Sequence, residues 1–244
     1  MNGQSLPDRL ASQQPPTLSG VLALAMGISA CVVGSAGSLQ TAPLALETIG
    51  LVLLSIGVVA SRRGRQFVGR SLSVAGLAVA MSTFVAALAF GLPTVLLIAF
   101  LSCGVGLVAL AIGVYFLSGT AARTAVLTGL SLVLAGVLAN AVIAEPTVWR
   151  SATAVTLVVL TWDVSERAIG LGNEVGTAAN TASVELVGAA TSALVGFVGI
   201  GTAIVAARIP ITVSSVFGLA LLLVSAVAFL LALSHVPSPS NRQH

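Results

Sequence analysis

The chain has 244 residues, 57% of them hydrophobic and 7% charged, with a mean hydropathy of +1.10. Ten basic and seven acidic residues cannot coat a domain of this size with polar surface, which excludes an ordinary fold in water. All ten basic residues are arginine, so Schiff-base and Walker-type lysine chemistry is excluded; there is also no basic domain or aromatic platform for nucleic acid.

Residues 1–19 are polar, carry Pro15 and Pro16, and read as a disordered tail. The next apolar run imitates a signal peptide, with Ser35–Ser38 as a cleavage site. Its basic lead is only Arg9 offset by Asp8, so it is read as a retained helix. Eight spans are predicted, over residues 20–39, 44–60, 71–90, 94–116, 124–144, 147–162, 183–207 and 211–233. Most of them approach the roughly 20 residues that a helix needs to cross about 30 Å of hydrocarbon. The apolar residues run continuously rather than alternating, which excludes barrel strands. The expected fold is an all-α, polytopic transmembrane helical bundle.

Pro43, Pro93, Pro146 and Pro210 each stand between two apolar runs. Proline is tolerated in the first turn of a helix and penalised inside one, so each is expected to open a helix. Glu47 is an acid inside a predicted span, as Glu185 is at the very start of another; one turn from Pro43, Glu47 is placed to snorkel to the outer interface. Arg62, Arg63, Arg65 and Arg70 form the strongest basic loop, which sets that side, and with it the N-terminus, in the cytoplasm. Asn140 is expected to hydrogen-bond to a neighbouring helix or to interfacial water. Glu47, Asn140 and Glu185 do not share one membrane depth, which argues against a proton relay.

The segment 147–162 is the shortest predicted span, with Arg150 near its start. Trp149 and Trp162 bracket it, about 20 Å apart in helix rise, as interfacial tryptophans would. If it crosses, one more arginine falls on the cytoplasmic side than in the seven-span alternative. Residues 163–182 then read as an amphipathic connector, with Asp163, Glu166, Arg167, Glu174 and Glu185 on its polar stripe and Val164 and Ala168 on its apolar one. Asp163 and Arg167 have the spacing of a helical ion pair. Residues 234–244 read as a disordered tail.

A faint internal repeat aligns Gly50–Val58 with Gly106–Val114, and Leu22–Met26 with Leu77–Met81. Small-residue series such as Ala30/Gly34/Ser38 and Gly196/Gly199 indicate close helix packing. Cys31 and Cys103 lack a CxxC partner or a nearby histidine and read as small fillers. His235 and His244 lie in or beside the C-terminal tail, which rules out histidine catalysis inside the membrane. No nucleophile–base or metal-ligand set is legible, so no enzyme activity, cofactor or metal is expected.

The stretch Thr161-Trp-Asp-Val-Ser-Glu-Arg-Ala-Ile-Gly-Leu-Gly-Asn-Glu-Val-Gly176, followed by Glu185, resembles an uncharacterised family of haloarchaeal multi-pass membrane proteins. The shared elements are Trp162-Asp163 and Leu171-Gly172 through Gly176. Glu174 and Thr177 depart from the glutamine and arginine that the resemblance leads one to expect. The resemblance implies a setting beside MoxR-type AAA ATPase systems. The sequence thus leads to a non-enzymatic structural or assembly component of the cell membrane that docks a cytosolic partner through 163–185. The alternative is a small-solute or ion transporter or channel built from helix hairpins, which requires polar residues converging near the bilayer midplane or a helix unwound there.

Overall fold

A computed structural model describes residues 17–35, 37–89, 91–144, 147–174 and 182–208. The chain divides into two compact units, Met1–Ala206 and Ala207–His244, and the first of them holds the helical bundle. The described residues form seven helices and no strand: α1 (Thr17–Gly34), α2 (Ser38–Arg62), α3 (Gln66–Ala89), α4 (Thr94–Phe116), α5 (Gly119–Ala144), α6 (Val148–Glu174) and α7 (Ala182–Arg208). Four of them, α2 to α5, are long and apolar enough to cross a membrane; the apolar parts of α1 and α7 are shorter. Large apolar side chains face outward along these helices, among them Val74, Val85 and Leu88 of α3 and Val95 and Ile98 of α4. Such a surface is stable against lipid and not against water. The protein is an integral membrane protein.

The sequence explains most of the helix ends. Pro93 is the residue before α4, where its missing N–H costs nothing. Pro43 departs from expectation: α2 opens at Ser38, so this proline lies in the second turn rather than at the start. α2 closes at the arginine loop, where Gly64 N–H donates to the Ser61 carbonyl and Arg65 N–H to the Ala60 carbonyl, both at 3.1 Å. That is a Schellman closure, and Gly64 holds its left-handed residue at φ 87°. The adjacent arginines also face the negative end of the α2 dipole.

Two hairpins carry the closest packing. In α2–α3, a β-carbon on Gly50 would lie 2.5 Å from the Ala80 amide nitrogen, and one on Gly76 would lie 2.6 Å from the Gly50 carbonyl oxygen. Gly57 and Gly69 face each other in the same way one heptad along. In α4–α5, Gly106 and Gly129 would each intrude to within 2.6 Å of the other's carbonyl oxygen, and Gly136 would meet the Cys103 sulfur. Only hydrogen in place of a side chain permits such backbone contact, and in lipid that close packing is a main source of association. The glycines of the aligned segments, Gly50/Gly57 and Gly106/Gly113, thus occupy matching interfaces in the two hairpins.

α4 is the centre of the bundle. It touches α1, α2, α3, α5 and α6, and buries Phe100, Leu107 and Leu110. α1 does not form a hairpin with α2; its principal neighbour is α6. Gly20 lies on Val114 and Tyr115, Gly27 on Leu107, Leu110 and Thr161, and Gly34 on Val137 and Ala154. α6 runs on past the end of the predicted span at Trp162 and takes in the first part of the predicted connector, as one helix from Val148 to Glu174. Its Arg150 donates to the Ser35 carbonyl at 3.0 Å at one end of the bundle, and its Glu166 pairs with Arg123 at the other. Those two anchors are about 24 Å apart along the helix, so α6 runs the same course as its neighbours. Residues 17–19 of the predicted N-terminal tail are the first of α1, whereas residues 1–16, Pro146, Pro210, the span 211–233 and the C-terminal tail lie outside the described residues.

Candidate functional site

The interior carries a file of polar side chains on α2. Gln40, Glu47, Ser55 and Arg62 recur every seven or eight residues, about two helical turns, and so share one face. Gln40 is buried where α2 meets α4 and α5. Its amide donates to the Asn140 side-chain oxygen at 3.1 Å and to the Leu96 carbonyl at 3.3 Å. Asn140 therefore bonds across helices, as its position inside a span requires. Nearer the arginine loop, the Tyr115 hydroxyl donates to Ser55 at 3.0 Å, and Ser55 donates on to the Leu51 carbonyl at 2.8 Å.

Glu47 lies between these pairs, about 10 Å along α2 from Gln40 and about 22 Å from Arg62. It does not snorkel. The residue is 1% exposed, and neither carboxyl oxygen has a hydrogen-bond partner among the described residues. The reason is the face it occupies. Glu47 falls in the same heptad register as Gly50, Leu54 and Gly57, the row that α2 turns toward its neighbours. Room for the carboxyl comes from Gly104 of α4, where a β-carbon would lie 3.0 Å and 3.1 Å from the two oxygens and 2.8 Å from the Phe84 ring. Cys31 of α1 and Cys103 of α4 are both buried, and the Cys103 thiol donates weakly to the Val133 carbonyl at 3.9 Å. Both are small residues packed between helices rather than turned to lipid. No group of three or more His, Cys, Asp or Glu able to hold a metal occurs among the described residues.

A carboxyl in this setting cannot be a resting anion at modest cost. Burying an uncompensated charge is far more expensive than burying a neutral polar group, so the site demands a proton or a cation against it. That is the chemistry available here: reversible binding of a small positive species at one acid inside the bundle.

The acidic stretch on α6 is engaged differently. Val164, Ala168 and Ile169 are buried, and Asp163, Glu166 and Arg167 occupy the opposite, half-exposed side, as the predicted stripes require. Asp163 and Arg167 pair at 3.0 Å, and both meet Ser192 of α7, Arg167 at 2.9 Å. Glu166 pairs with Arg123 of α5. These groups tie α5, α6 and α7 together at the arginine end. The backbone of Glu174 ends α6 and that of Glu185 is in the first turn of α7. An exposed pair contributes about 0.2–1 kcal/mol. Glu166→Arg is therefore expected to lower stability by no more than about 1 kcal/mol, and the double change Arg123→Glu/Glu166→Arg to restore it, in thermal unfolding of the detergent-solubilised protein.

The arginines separate by end. Arg62, Arg63, Arg65, Arg70, Arg123 and Arg167 belong to the end where α2 closes and α5 opens, and Arg150 to the opposite one. Sequence reasoning missed Gln40, Ser55 and Tyr115 as interior polar groups. The signal lay in the two-turn recurrence of polar residues along α2, aligned with Glu47.

The profile of a family of unknown function (DUF7519) matches residues 70–230, more than half of the chain, and the chain belongs to that family. Asn140, Cys103, Gly104 and the α6 acids fall within the matched residues, whereas Gln40 and Glu47 precede them. Neither a curated protein nor a solved structure matches the sequence.

Proposed function

We propose that this family member is a non-enzymatic transport protein of the cell membrane, whose interior acid Glu47 takes up and releases a proton or small cation during translocation. The observation that carries the reading is the buried Glu47 carboxyl, which has no hydrogen-bond partner among the described residues. Ionisable groups inside membrane helices are costly, and they are retained chiefly where they bind an ion or relay charge. Gln40 and Asn140 form the polar step toward the nearer end of the bundle, and Ser55 with Tyr115 the step toward the arginine end. A single exchangeable site needs no set of acids at one depth.

The topology that accompanies this proposal has eight spans. The course of α6 between Arg150 and Glu166 favours counting it among them, and residues 211–233 supply the last. The arginine end is cytoplasmic, which puts the N-terminus inside. Purified protein in liposomes, with a pH-sensitive dye inside and a potassium diffusion potential imposed, should conduct protons in the wild type. Glu47→Gln is expected to reduce that flux at least about tenfold, equivalent to a barrier higher by about 1.4 kcal/mol. Equal flux through the two proteins would reject the proposal.

A second reading draws on the exposed flank of Asp163, Glu166 and Arg167, which remains partly open to solvent. By the haloarchaeal resemblance, a MoxR-type AAA ATPase is the partner that would dock there. Co-purification of such an ATPase, lost on Asp163→Arg with the fold intact, would support docking; retention by that variant would reject it.

A further inference from the structure

Between α2, α3 and α4 at the arginine end lies an open groove of about 620 Å³. Arg62 and Arg70 stand at its mouth, and its walls are Val58, Val74, Leu77 and Phe116. From Arg62 the groove follows α2 inward as far as Leu54, about 12 Å of helix rise. Val74 and Phe116 are more than half exposed, so the apolar wall opens outward to the surface that faces lipid. No acid lines this groove among the described residues, and Arg63 and Arg65 in the adjoining loop add to its positive charge. The first turn of α3, just before Arg70, contributes the positive end of a helix dipole, and the two full guanidinium charges outweigh the partial negative ends of α2 and α4 that meet there.

From this geometry we infer that the groove is a binding site for one anionic phospholipid. Its phosphate lies between Arg62 and Arg70, and an acyl chain lies along Val58, Val74 and Phe116. Charge complementarity sets the headgroup. A phosphate oxygen offers the guanidinium a charge-assisted hydrogen bond that a zwitterionic headgroup must share with its own cation. The apolar wall selects a lipid over a free anion, because inorganic phosphate gains nothing from Val74, Leu77 or Phe116. Depth agrees with this assignment: Arg62 is the last residue of the apolar helix Gln40–Arg62, so a membrane-crossing α2 sets it at the interface.

Native mass spectrometry of the full chain, released from micelles doped with equal amounts of phosphatidylglycerol and phosphatidylcholine, tests the site. The expected result is one retained phosphatidylglycerol. Arg70→Gln should weaken retention about fivefold, and Arg62→Gln by a similar factor. Val74→Trp, which fills an exposed part of the groove without touching a charge, should also expel the lipid. Arg65→Gln, outside the groove, should weaken retention less than either of those changes. Equal retention of both lipids would overturn the assignment, as would retention indifferent to Arg70→Gln and Val74→Trp. Displacement of the lipid by millimolar inorganic phosphate would make this an anion site rather than a lipid groove. A doubled mass free of lipid would place a second copy of the chain there. Because Arg70 and Val74 are exposed, their variants fold with the wild type, and proton flux through Glu47 provides a separate readout.

Discussion

Gly76→Val is expected to abolish the folded protein, with the variant lost from the monodisperse fraction after detergent extraction. A β-carbon at this position would lie 2.4 Å from the Leu54 amide nitrogen and 2.6 Å from the Gly50 carbonyl oxygen. Both obstacles are backbone atoms of α2, so no rotamer change relieves them. The hairpin would have to open along its length and give up the contacts at Gly57 and Gly69 as well. Overpacking costs about 1–3 kcal/mol where side chains can yield, and more where only backbone can. Gly199→Ala, with nothing within 4 Å of its added carbon, provides the contrast and should extract like the wild type. A monodisperse, thermally unchanged Gly76→Val would mean that the α2–α3 interface is not packed as described.

Glu47→Met should behave in the opposite direction. Replacing a buried carboxyl that lacks a hydrogen-bond partner with an apolar side chain of similar length removes a desolvation penalty of about 1–3 kcal/mol. The variant should unfold at higher temperature than the wild type while losing proton flux in liposomes. Stability gained together with activity lost is the mark of a residue kept for function at the expense of packing. Should Glu47→Met unfold at lower temperature, the carboxyl must have a stabilising partner in the folded protein, and the proposed exchange site would fail.

Much of the bundle was legible in the amino-acid order. Continuous apolar runs located α2 to α5, with ends within about two residues and Pro93 marking the start of α4, because lipid forces backbone groups to bond within each helix; the starts of α2, α3 and α5 lie about five residues before the apolar runs. The stripes of α6 were legible for the same reason: one face is buried, and periodicity records it. Glu47 was harder. Distance from a helix end suggests snorkelling, but snorkelling also requires a face turned to lipid. The face was recoverable only by noticing that Glu47 shares the register of Gly50 and Gly57. Gln40 escaped because it stands beside a span boundary, and its partner Asn140 is a hundred residues away. The continuity of α6 was obscured at Trp162, where the apolar run that marks a span ends while the helix continues with one polar face.

The pairing of α1 with α6 bears on how the protein is made. The α2–α3 and α4–α5 hairpins can each close as soon as their second helix leaves the ribosome. α1 has no such local mate: its principal companion starts at Val148, more than a hundred residues after Gly34. At ordinary synthesis rates that is a delay of roughly 5–20 s. During that interval the face of α1 that α6 will cover must be sheltered by lipid or by the insertion machinery.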